Sequence, residues 1–73
     1  MTDAYENLAN AIILLAVKDY RRALKLLSKN QHSRSAMAAV NEMERFFRSD
    51  WYETLTSVDG EMLIRKLREE AFL

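Results

Sequence analysis

The chain has 73 residues, eleven basic and eleven acidic side chains, one histidine and no cysteine. That length gives one domain whose core sits near the lower limit of self-sufficiency, and the balanced charge argues against a nucleic-acid coat or a polybasic membrane binder. Without cysteine there are no disulfides, no thiolate metal sites and no sign of an oxidising compartment, so a cytoplasmic protein is expected.

Proline is absent and Gly60 is the only glycine, so little interrupts helix, and no stretch alternates β-branched with polar residues over a strand's length. The predicted class is all α. Residues 1–73 form a single helical domain: a three-helix bundle with a long first helix, a short extra helical turn before the last helix, and a second copy to complete it.

Thr2 or Asp3 opens the first helix, with Asp3 and Glu6 three apart in the spacing of a capping box. Its acidic start is unlike a secretory signal, and Lys18 ends the apolar run well short of the ~20 residues a membrane span needs, so neither signal nor anchor is expected. Tyr5, Leu8, Ile12, Leu15 or Ala16, Tyr20 or Ala23, Leu24 and Leu27 form an inward stripe, widened by Ala9, Ile13 and Val17. The helix should end near Ser28 to Asn30, with asparagine taking the left-handed conformation that stops it.

Ala11 to Val17 is apolar without interruption, which carries apolar surface right round the helix. From Asp3 to Ser28 the helix is also about 39 Å long, against roughly 29 Å for a compact globule of this size. Such a helix must kink or pack its surplus against another copy. The apolar run favours a homodimer, with Ile13, Leu14 and Val17 at its interface.

Gln31 to Arg34 is a short connector joining antiparallel neighbours, and Ser33 or Ser35 caps the second helix. Ala36, Met37, Val40, Met43, Phe46 and Phe47 are its expected buried stripe. Asp50 and Glu53 repeat the capping-box spacing before a short helix or bent continuation, and Ser57 or Asp59 caps a last helix over about Asp59 to Ala71. There Leu63 or Ile64, Leu67 and Ala71 face inward, opposite Arg65, Arg68 and Glu69.

For chemistry the inventory is thin. A lone His32 and no cysteine exclude a histidine metal cluster and a thiol nucleophile, and no carboxylate pair converges. The acidic residues read as solvated faces, no catalytic, cofactor or metal site is expected, and the chain is read as a non-enzyme.

Two surfaces remain. Lys18, Arg21, Arg22, Lys25 and Lys29 share one side of the first helix and Arg34 extends the stripe, an arrangement able to neutralise several phosphates. It could equally be a solvent face paired with Glu42 or Glu44. Phe46, Phe47, Trp51 and Tyr52 lie within one short stretch and cannot all point inward, so one or two rings should be exposed beside Arg45 and Arg48. Arg45, Arg48, Trp51 and Tyr52 are the candidate partner-binding residues.

The segment Met43 to Arg68, MERFFRSDWYETLTSVDGEMLIRKLR, resembles a motif of small uncharacterised proteins from prophages and conjugative elements of Gram-positive bacteria. The resemblance brings no catalytic motif. It implies stoichiometric binding, including inhibition of host defence nucleases in the manner of anti-CRISPR proteins. The expected function is a non-catalytic interaction module with a protein partner and no membrane. The alternative is a small nucleic-acid-binding regulator using the basic stripe.

Overall fold

The computed structural model describes residues 4–72, and they are helical apart from short connectors. Four helices follow in order: α1 (Ala4–Lys29), α2 (Arg34–Phe47), α3 (Asp50–Leu55) and α4 (Gly60–Phe72). No strand occurs among the described residues.

The proposed first cap at Thr2 or Asp3 lies outside the described residues. At its other end α1 stops at Lys29, and not by a left-handed asparagine, for no described residue, Gly60 included, has a positive φ. Instead the Asn30 side chain accepts from the His32 backbone N–H at 3.1 Å and the Asn30 carbonyl accepts from Ser33 N at 3.1 Å, which closes a tight turn.

Ser33 is the cap of α2, its Oγ accepting from Ala36 N at 3.2 Å. Ser49, one residue before the expected Asp50, caps α3 by accepting from Tyr52 N while donating to the Phe46 carbonyl at 2.6 Å. α4 is opened by Asp59, whose Oδ1 accepts from Glu61 N at 3.0 Å.

α2 runs back along α1, so that Ala36 and Ala39 lie beside Ala23 and Leu26 while Phe46 lies beside Ile12 and Leu15. α4 then runs back along α2, beginning against the end of α2 and reaching Glu44 at Arg68. A methyl group at Gly60 would collide with the Phe47 carbonyl oxygen, so the two helix ends touch backbone to backbone only because that residue has no side chain.

The core joins Ala16, Tyr20, Ala23, Leu24 and Leu27 of α1 to Ala36, Val40 and Phe47 of α2, Tyr52 of α3, and Ile64 and Leu67 of α4. Ala9, Ala16 and Ala23 mark the inward line of α1, with Ile13 and Val17 packed partly against the core. Of the expected inward stripe Leu8 is exposed, and of the pair Leu15 or Ala16 it is Ala16 that lies inside; Ala9, Tyr20, Ala23, Leu24 and Leu27 are buried as expected. Small residues there leave room for Phe47 and Tyr52, whose rings meet edge to face with centroids 5.6 Å apart. Met37, expected inside, is exposed on α2.

α1 is one continuous helix of 26 residues, so its surplus length is not absorbed by a break. The molecule measures 44 × 21 × 20 Å, with a radius of gyration of 13.1 Å against about 11 Å for a compact chain of this length.

Candidate functional site: a buried carboxylate and three surfaces

Ala36, Val40 and Phe47 point into the core at steps of four and seven, and Glu44 occupies the same face of α2 between the last two. It is 6% exposed, the one charged residue among the buried ones described. Its Oε2 accepts from the Tyr20 hydroxyl at 2.6 Å and from Arg68 Nε at 2.8 Å, with Arg68 Nη2 at 2.7 Å. Arg48 approaches Oε1 at 3.6 Å and also pairs with Glu61. One carboxylate thus fastens α1, α2 and α4.

Burial alone would push the Glu44 carboxyl up, but the hydrogen bonds from Tyr20 and Arg68 and the charges of Arg68 and Arg48 outweigh it and hold the group below the usual carboxylate range. Burial, and then the bond to Glu44, push the Tyr20 hydroxyl up to about 12. A proton-transfer acid needs its affinity tuned toward neutrality; this carboxylate is tuned the other way, and its Oε2 already accepts from Tyr20 and Arg68. The expectation that acidic residues are solvated faces fails at Glu44. The signal was its register, a charge at a core position with a tyrosine interior on the preceding helix.

The aromatic corner separates. Tyr52 is buried, with its hydroxyl lacking a protein partner, and belongs to the core and not to an exposed anchor surface. Arg48 is engaged with Glu44 and Glu61. Trp51 is 59% exposed and meets half-buried Phe46 edge to face at a centroid distance of 5.9 Å, and Arg45 on α2 is exposed.

On α1, Lys18, Arg21, Arg22, Lys25 and Lys29 are all exposed, as is Arg34 at the start of α2. Arg21 pairs with Glu70 at 3.0 Å on the surface; the others form no ion pair among the described residues. Glu44 is occupied elsewhere and Glu42 pairs with none of them.

Of the expected dimer residues, Ile13 and Val17 are half-buried, packed partly against the chain's own core, while Leu14 is 67% exposed. Leu8, Leu15 and Leu26 are exposed at 60%, 60% and 54%. Leu8 was expected inside, and Leu15 as an alternative to Ala16; Leu15 and Leu26 edge a groove between α1 and α2. This groove consists of two adjoining hollows of about 330 and 340 Å³ that share Asp19, Glu42 and Met43, one walled by Ile12, Leu15 and Phe46, the other by Arg22, Leu26 and Ala39.

Among the described residues no three His, Cys, Asp or Glu side chains gather as metal ligands, and no helix is long and apolar enough to cross a membrane. No family model, curated protein or solved structure matches the chain.

Proposed function

We propose that the chain is a non-catalytic, single-domain interaction module of the cytoplasm, a three-helix bundle that forms a homodimer and acts by stoichiometric binding to a protein partner. The observation that carries this is the exposure of Leu8, Leu14, Leu15 and Trp51, each more than half open to solvent in a chain of 73 residues. Large apolar side chains gathered on one end of a small protein mark a contact surface. Trp51 with Arg45 is the composition that anchors protein interfaces. The resemblance of Met43 to Arg68 to prophage and conjugative-element proteins supplies a setting, in which the partner is a host defence complex such as a CRISPR nuclease and binding blocks it.

The test is affinity capture from the host with the intact chain as bait, followed by mass spectrometry. Trp51→Ala should weaken capture about 30-fold, an anchor-sized loss of ~2 kcal/mol, with a melting temperature close to that of the parent. Undiminished capture by Trp51→Ala together with Arg45→Ala sinks the assignment of that corner.

A second reading is favoured by the basic face of α1, four of whose five cations have no carboxylate partner among the described residues. It is a nucleic-acid-binding regulator. Affinity for DNA or RNA should then fall steeply with salt and drop further in Lys18→Ala with Lys25→Ala. No shift at low salt removes it.

A further inference from the structure

Leu8, Ile12, Leu15, Asp19, Arg22 and Leu26 succeed one another along α1 at alternating steps of four and three, the seven-residue seam of paired helices. It is distinct from the inward line through Ala9, Ala16 and Tyr20, which the chain covers itself. The seam is apolar at its two ends and charged in the middle, where Asp19 and Arg22 carry opposite signs. Neither has an ion-pair partner among the described residues, and Glu42 of α2 stands across the groove with its carboxylate unpaired as well.

We infer that a second copy of the chain fills this groove, with the two α1 helices antiparallel about a two-fold axis that crosses between Tyr20 and Arg21. This rests on the homodimer reading above and fixes its surface and register. A parallel pairing sets Asp19 against Asp19 of the partner subunit and Arg22 against Arg22 of the partner subunit. The antiparallel one converts those repulsions into two contacts of opposite charge, Asp19 with Arg22 of the partner subunit and the reverse. Glu42 adds a second carboxylate toward the same guanidinium. In the same register Leu15 meets Leu26 of the partner subunit, twice by symmetry.

The area agrees. The chain exposes 5637 Å², whereas a folded monomer of its mass exposes about 4,700 Å². The excess is of the order of the ~800 Å² that each partner contributes to a standard interface. Lys18 and Lys25 lie on the flank of α1, roughly 80–100° round from the middle of the seam and next to Arg22 on the basic side.

Sedimentation equilibrium of the intact chain, with charge swaps, tests this. The parent should be dimeric at micromolar concentration. Asp19→Arg and Arg22→Asp, both at exposed positions, should each weaken the dimer tenfold or more, and the two combined should return it to within about threefold of the parent. The absence of native cysteine allows a second readout: Leu15→Cys mixed with Leu26→Cys should give an oxidised covalent dimer far more readily than Leu14→Cys mixed with Leu26→Cys. A parent that stays monomeric at 100 µM overturns the homodimer reading as a whole, leaving the groove to another protein. A dimeric parent whose single charge variants associate unchanged, and whose Leu15 and Leu14 cross-links form equally, overturns the register alone.

Discussion

Glu44 is buried yet charged, and its stability contribution has a definite sign with pH. Because its folded-state affinity for protons is lowered, that contribution is present above the ordinary carboxyl value of 4.5 and is lost as pH falls through the folded value. Thermal melts of the parent should therefore weaken in acid below that point, and Glu44→Gln should flatten the slope. Tyr20 acts in the opposite sense: raised from 10.0 to about 12, it contributes below pH 10.0 and that contribution fades as pH climbs toward 12. Tyr20→Phe should reduce the alkaline loss, of which Tyr52, also pushed up by burial, keeps a share. At neutral pH Glu44→Ala should cost about 2 kcal/mol, since it leaves the fully buried Tyr20 hydroxyl without an acceptor, and urea unfolding measures it. Gly60→Ala should cost roughly 1–3 kcal/mol, because its new methyl group drives the start of α4 off the Phe47 carbonyl. Glu44 was hidden from sequence reasoning by the sound rule that charges face water. Only the placement of Tyr20 and Arg68 on two other helices makes its burial tolerable.

At the scale of elements, helix existence was legible because breakers are few and serine or aspartate stands before each of α2, α3 and α4. The rotation of α1 about its own axis was legible only in part, for Tyr20, Leu24 and Leu27 face inward as expected while the choice between Leu15 and Ala16 stayed open. An apolar run that goes right round a helix carries no direction, and neighbouring rings chose the alanine side. Ala16→Leu should accordingly destabilise by about 1–3 kcal/mol through overpacking, whereas Leu15→Ala should leave monomer stability nearly unchanged, as chemical denaturation at low protein concentration would report. The split of the aromatic corner, with Trp51 out and Tyr52 in, was beyond reach, since adjacent residues on a short helix differ in face by an angle that depends on where its cap falls. Ser49 capping α3 settles it.

For the whole molecule, length arithmetic on α1 offered a kink or a second copy; α1 runs unbroken, and the long axis is 44 Å. Hydrogen exchange should show the amides of Ala11 to Leu15 less protected than those of Tyr20 to Leu27, where α2 and α4 both pack. If two copies associate along the groove, protection around Leu15 and Leu26 should rise with protein concentration while that around Leu14 stays level.

A single oxygen of Glu44 receives donors from the first and last long helices while itself belonging to the second. None of the three can therefore peel away alone without stranding a charge or a hydroxyl. Loss of structure in this protein should be all-or-none, with circular dichroism and tryptophan fluorescence tracing one superimposable transition.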